Sequence, residues 1–390
     1  MPQPRRIFIS VAEASADLHA AALVRHAREA YPEWAFYGLT GPRLRELGVE
    51  TVADLTSHAA MLTGAVRIAR RAWNILNDCE RRWRETRPDV VVLLDSPELH
   101  LGVPELGLHG FAGRAKKLDI PVVYYVAPQT WASRPWRERA IGRDVDRLAC
   151  ILPFEEAYFR QRGIRADFVG HPLFESLRRE PRDERFVARV RSPRRPIVTL
   201  LPGSRRGVVD AVLPLQLDVV RRLRSRLVDV DCLISCADDE RRAQIQAVLN
   251  RYELEAELHI GRNADLLNAA DLVLVASGTA TLEVAFHRKP MIVMYQAGGS
   301  LRIPYELLGR RFLRTPHLSL VNILGDARVV PEFMPFVPDA ATVARVAAQI
   351  LADETWRACM IRQLDALVTP LERTSASETV CAMVSQAMKS

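Results

Sequence analysis

Short apolar runs alternate with longer amphipathic stretches along the whole chain. In the first half the runs cover residues 7–11, 35–39, 90–94, 122–126, 148–152 and 168–169. In the second half they cover 197–201, 232–235, 272–276 and 291–295, with a weaker run at 258–260. Runs that are continuously apolar, instead of alternating with polar residues, predict strands of a parallel sheet buried on both faces. The amphipathic stretches between them predict the covering helices. Between the halves lies RREPRDERFVARVRSPRRP, residues 178–196, charged and interrupted by prolines, which reads as a linker or a linker plus a helix. At 390 residues the chain exceeds what one ordinary core holds. The expectation is an α/β protein with two Rossmann-like domains facing each other across a cleft.

In such sheets ligands bind beyond the carboxyl ends of the strands, so the residues directly after each run are the candidates. The run 272–276 ends in Ser277-Gly278-Thr279-Ala280-Thr281, and a helical pattern starts there. A helix N-terminus offers free N–H groups and a favourable dipole to an anion, and small residues let a phosphate approach. Ser and Thr are also ordinary N-caps. One cap accounts for one hydroxyl, whereas three hydroxyls and a glycine suit a phosphate better. Glu283, one turn further, either accepts hydrogen bonds from vicinal ribose hydroxyls or completes a capping box. LLPGSRR (200–206) supplies Gly203 for close backbone approach, Ser204 as a donor and Arg205 for bidentate phosphate contact. Together the two turns form a candidate diphosphate clamp. His171, in VGHPL, is a candidate phosphate or sugar contact, or a histidine satisfied by its own loop.

The first half carries acids at strand ends. Asp95 directly follows VVVLL, a place where a carboxylate is rigid, partly desolvated and suited to general base work. Glu13 and Asp17 follow the first run and either share that role or orient a sugar. The pair Asp144–Asp146 resembles a divalent-metal motif, but it precedes a strand at the wrong end of the sheet and reads as a solvated turn. MLTGAVRIARRAWNIL, 61–76, sets Val66 and Trp73 among Arg67 and Arg70. That mixture suits an anionic membrane surface, or a helix packed on the sheet with a basic edge.

Composition narrows the partners. With 54 Lys and Arg against 47 Asp and Glu the chain carries +7, which fits a nucleic acid, an anionic membrane or a phosphorylated substrate. The basic residues are spread out and form no recognised nucleic-acid module, so nucleic acid is disfavoured. No apolar run approaches the roughly 20 residues of a membrane span. Glu13 and Asp17 interrupt the N-terminal apolar stretch, so it reads as a first strand and not a signal peptide, and a cytoplasmic setting is expected. The six cysteines have neither metal spacing nor a histidine cluster and read as buried thiols.

Taken in order, EASAD (13–17), YVAPQTWASRPWR (125–137), LPFEEAYF (152–159), VGHPL, LLPGSR, ASGTATLE, SLVNIL (319–324), VVPEFM (329–334) and SASE (375–378) make the chain similar to the lipid-A-disaccharide synthases. The resemblance runs through nearly the whole length. It implies a GT-B fold and an inverting transfer that joins UDP-2,3-diacylglucosamine to 2,3-diacylglucosamine 1-phosphate (lipid X) and releases UDP, without metal or other cofactor. It implies an acceptor- and membrane-facing domain at 1–177, a linker at 178–196, a UDP-sugar domain at 197–365 and a C-terminal helix, 366–390, crossing back. UDP would be held by Arg205, the Ser277–Thr281 turn and Glu283, with Asn322 beside it. Asp95 would help deprotonate the acceptor 6-hydroxyl. The protein would work peripherally at the inner membrane, with room for a homodimer.

Several positions depart from the family pattern. Ala12 and Ala16 replace glycines, and Ser96-Pro97-Glu98-Leu99-His100 stands for Ala-Pro-Asp-Phe-Asn. Val208 replaces a glutamate, Val321 a proline and Gln296 a basic residue. The donor side keeps the pattern better than the acceptor side. Another UDP-sugar transferase or epimerase, or a UDP-sugar-binding protein without turnover, are the alternatives.

Overall fold

The computed structural model describes residues 4–55, 65–103, 107–191, 195–296, 316–337 and 339–389, the side chains of 65–68 excepted. The chain forms two compact units, Met1–Glu175 with Thr374–Ser390, and Ser176–Arg373.

The first unit is built on seven parallel strands: β1 (Arg5–Ser10), β2 (Trp34–Leu39), β3 (Glu50–Ala53), β4 (Val90–Leu94), β7 (Val122–Tyr125), β8 (Arg147–Cys150) and β9 (Ala166–Phe168). Their order is β3-β2-β1-β4-β7-β8-β9. A two-stranded antiparallel ladder, β5 (Gly102–Val103) and β6 (Leu108–His109), stands apart. Chain direction across the sheet reverses between β1 and β4, where Ile7 pairs with Val90 and Ser10 with Leu93. Every residue of β4 is buried, as expected for a strand covered on both faces. The helix Ala65–Glu85 packs on the sheet through Leu76, Cys79 and Trp83. There Trp83 meets Phe8 edge-on at 4.9 Å between ring centroids. The helices Ala14–Ala30 and Ala376–Ala387 pack against each other. Glu175 fixes the return of the chain by accepting from the hydroxyls of Ser375 and Ser377 and from the Ser377 N–H.

The second unit repeats the plan with β10 (Ile197–Leu201), β11 (Asp231–Cys236), β12 (Glu257–Ile260), β13 (Leu272–Ala276), β14 (Met291–Met294) and β15 (Glu332–Phe333), in the order β12-β11-β10-β13-β14-β15. Its reversal lies between β10 and β13. Residues 178–196, expected as a linker or a linker plus a helix, hold the helix Glu184–Val190, capped by Asp183. Phe186 of this helix is buried with Ile197, Leu233, Leu266 and Ala269, so the helix is packed into this unit. Residues 366–372 end the long helix Glu354–Glu372 of the same unit, and the chain returns to the first unit at Thr374.

Candidate active site

At the reversal of the first sheet, adjacent strands β1 and β4 deliver Glu13 and Asp95 to the same edge. Asp95 and Ser96 both take left-handed backbone conformations, with φ of 52° and 45°. Such conformations are costly for residues other than glycine and persist where neighbours enforce them. The neighbours here are two buried donors on the Asp95 main-chain oxygen, Tyr124 Oη at 2.5 Å and His100 Nδ1 at 2.6 Å. Because a carbonyl only accepts, Nδ1 carries the proton, which leaves Nε2 to accept from the Ser10 hydroxyl at 2.9 Å. Burial pushes the His100 imidazole down to about 4, so it is neutral.

The next strand, β7, leads into a second strained turn, with Val126 at φ 69° and Arg134 at 57°. Glu98 accepts from both Arg134 and Arg137, at 2.6 and 2.7 Å. Glu155, fully buried, accepts from Trp131 Nε1 at 3.0 Å and from the N–H groups of Ile151 and Leu152. Burial lifts its carboxyl to about 7 in spite of these donors. His100, Tyr124 and Glu155 thus support the two turns, and sequence reasoning assigns none of them a role. The departure from the family pattern at position 100 is the only signal for the first.

Two other expected residues of this unit, Asp17 and His171, are engaged elsewhere. Asp17 is buried, and its carboxylate accepts from the N–H groups of Gly41, Arg43 and Leu44, capping the helix Pro42–Glu46. Glu13 is exposed at the start of the helix Ala14–Ala30. Ala12 and Ala16 have no positive φ, so the loss of glycine there costs no backbone strain. His171 is buried, and its Nδ1 accepts from the Leu173 N–H at 3.2 Å, the loop-satisfied alternative. Burial, with help from nearby His19, pushes it down to about 3.

Asp144 and Asp146 do not form a solvated turn. Asp144 is buried and doubly bonded by Arg143, while Asp146 holds Lys116 and the Val122 N–H. Val66 and Arg67 lie outside the residues whose side chains are described. Arg70 is exposed, and Trp73, 40% exposed, lies under the Arg114 guanidinium at 4.8 Å from its ring centroid. No helix among the described residues is long and apolar enough to cross a membrane. The described residues hold no group of three or more His, Cys, Asp or Glu placed to bind a metal.

In the second unit, adjacent strands β10 and β13 deliver the other two turns. Gly203 has φ 104°, and a Cβ there would lie 2.8 Å from Val208 Cγ1. Ser204 and Arg205 follow, exposed, with Arg205 at the N-cap of the helix Arg206–Arg226. Gly278 has φ 134° and open space where a Cβ would stand. The helix Ala280–Phe286 has no side-chain cap, and Ser277 and Thr279 are half-buried and exposed respectively. Thr281 is different: it is buried and its hydroxyl donates to the Gly278 carbonyl at 2.8 Å, so that hydroxyl is not a phosphate donor. Burial raises the Glu283 carboxyl to about 7, against a hydrogen bond from Asn263 and with the charge of Glu180 adding to the rise. The Ser235 hydroxyl in turn bonds Asn263. Asn322 is fully buried and committed: its amide donates to the Val330 carbonyl and to Glu332, and its oxygen accepts from the Val330 N–H. It braces the segment leading into β15, with both amide hydrogens and one lone pair of its oxygen engaged there.

Two doubly wound parallel sheets, each with strand-end turns at its own reversal, fit the plan of the GT-B fold, and solved structures agree. The S. aureus MnaA–UDP co-structure superposes with a TM-score of 0.62 at 13% identity, covering 99% of this chain and 97% of that one. Acinetobacter baumannii MurG gives 0.58 at 12% identity, covering 98% and 99%. The family model for lipid-A-disaccharide synthetase matches residues 7–384. The lipid-A-disaccharide synthase of Geobacter sulfurreducens is 34% identical over 350 residues, 88% of this chain and 86% of that protein. The Anaeromyxobacter dehalogenans (strain 2CP-1) enzyme of the same name is 35% identical over 361 residues, 92% and 91%. The chain belongs to the lipid-A-disaccharide synthetase family.

Proposed function

We propose that this protein condenses UDP-2,3-diacylglucosamine with 2,3-diacylglucosamine 1-phosphate (lipid X), giving the lipid A disaccharide 1-phosphate and UDP with inversion. Family membership makes it a glycosyltransferase of lipid A biosynthesis. The observation that carries the finer reading is the division of chemistry between the two sheet reversals. One presents an acid, Asp95, on a turn held by buried donors. The other presents two glycine-opened turns with Arg205 and Glu283.

In this reading Asp95 takes the proton of the acceptor 6-hydroxyl as that oxygen bonds to the anomeric carbon. The bond from that carbon to the diphosphate breaks on the opposite face, and UDP leaves with the electron pair. Arg205 and the N–H groups and hydroxyls at Ser277–Thr279 take up the developing charge, and the Glu283 carboxylate accepts from the ribose diol. Glu13 is the remaining alternative base, because the carboxylate of Asp17 is occupied by three amides. The basic helix bearing Arg70 and Trp73 rests on the inner membrane, where the acyl chains of both substrates reside.

Purified protein with both substrates in detergent, followed by mass spectrometry, tests the reading. Acceptor-dependent UDP release with a tetraacyl disaccharide 1-phosphate is expected. Conversion of the donor without acceptor would instead indicate an epimerase. UDP binding without any product would indicate a binding protein.

A further inference from the structure

The Asp95 carbonyl closes a buried relay. Ser10, at the end of β1, donates to His100 Nε2 at 2.9 Å, and His100 Nδ1–H donates to the Asp95 oxygen at 2.6 Å. Tyr124, on β7, fills that oxygen's other lone pair at 2.5 Å. Ser10, His100 and Tyr124 are all completely buried, so these bonds have no competing water. Three neighbouring strands, β1, β4 and β7, thereby converge on one main-chain atom. That atom belongs to the first of two consecutive left-handed residues. A relaxed turn would rotate this peptide and move the side chain it carries.

We propose that His100 is a positioning residue for sugar transfer: its Nδ1–H, backed by Ser10, pins the Asp95 carbonyl and so fixes where the Asp95 carboxylate reaches. The inference rests on the reading of Asp95 as the base. It specifies which half of the imidazole matters. An asparagine at 100 can put an amide donor where Nδ1 stands, whereas a glutamine places its amide where Nε2 stands and leaves the carbonyl short of a donor. Both substitutions keep a buried polar group of comparable size, so general disruption of packing does not separate them.

The test compares kcat, KM for both substrates and UDP affinity in His100→Asn, His100→Gln, Tyr124→Phe and Asp95→Asn. His100→Gln is expected to lose up to about a hundredfold in kcat, the scale of a misplaced catalytic group, with KM and UDP affinity within about twofold. His100→Asn recovers most of that loss, and Tyr124→Phe lowers kcat with the same split. Equal activities in the two His100 variants, or an unaltered kcat in both His100→Gln and Tyr124→Phe, would overturn the inference. If Asp95→Asn keeps its turnover, the reading of Asp95 falls instead. If Asp95→Asn is dead while His100→Gln is fully active, only the positioning role falls.

Discussion

The turns after β4 and β13 occupy equivalent places, each beside the reversal of its own sheet, and they solve opposite problems. After β4 the left-handed positions are Asp95 and Ser96, residues that adopt such backbone less readily than glycine and are held there by His100 and Tyr124. After β13 the left-handed position is Gly278, which adopts it freely and leaves open space where a side chain would be. A turn that must present a side chain needs a residue with one, so the strain is met by buried hydrogen bonds. A turn that must admit a ligand to its own backbone does better with no side chain at all. The turn after β10 sides with the second kind through Gly203. The first unit thus aims one carboxylate, and the second clears a space.

The contrast breaks most visibly at the carboxylate. Asp95→Asn keeps the size of the side chain but removes the proposed base, so turnover should fall by about a thousandfold while UDP affinity is unchanged. Loss of UDP affinity in that variant would mean that the first turn also serves the nucleotide. The glycines sharpen the other side. Gly278→Ala adds a methyl into open space, so any loss comes from the backbone conformation alone, about 1–3 kcal/mol where such a conformation must be kept. UDP affinity measured by calorimetry should drop by about tenfold or more. Gly203→Ala adds the contact with Val208 to the same backbone cost. Combining it with Val208→Ala should restore part of the affinity, whereas Gly278→Ala has no neighbour to trim. Wild-type affinity in both glycine variants would reduce these turns to ordinary helix starts.

The strands were legible because parallel strands covered on both faces are written as unbroken apolar runs, and even the weak run at 258–260 became β12. The short, partly exposed β3 and β15 and the ladder β5–β6 carry no such run. At the turns, residue type was legible but partner was not. Three hydroxyls at 277–281 suggested three donors, yet a threonine in a first helical turn can donate to the carbonyl three residues back, as Thr281 does. Asn322 and Asp17 carry plausible ligand chemistry, and both spend it on backbone that the sequence places 8 and more than 20 residues away. His100 was visible only as a departure from a family pattern. Its partners, Ser10 and the Asp95 carbonyl, come from two strands that are neighbours only once the sheet has formed.

Glu283 offers the smallest effect and the most specific one. Its carboxyl is raised from 4.5 to about 7 by burial, so the folded protein holds this proton more tightly than the unfolded chain does. The resulting stabilisation is fully present below the unfolded value, near pH 4.5, and is lost as pH rises through 7. Thermal stability of the unliganded protein should therefore decline over that window more steeply than in Glu283→Gln, whose amide does not titrate. Binding runs the other way. If Glu283 takes the ribose diol as proposed, the two hydrogen bonds it accepts favour the ionised carboxylate, so UDP binding should expel the proton and tighten as pH rises. Between about pH 6 and 8 the ionised fraction grows from about a tenth to about nine-tenths, a gain of roughly tenfold in affinity. The terminal phosphate of UDP titrates in the same range, so the difference between wild type and Glu283→Gln, and not the raw slope, measures the carboxyl. Parallel slopes in the two proteins would detach Glu283 from the ribose and leave it a half-buried acid beside Asn263, and the second unit's claim to the nucleotide would then rest on its phosphate turns alone.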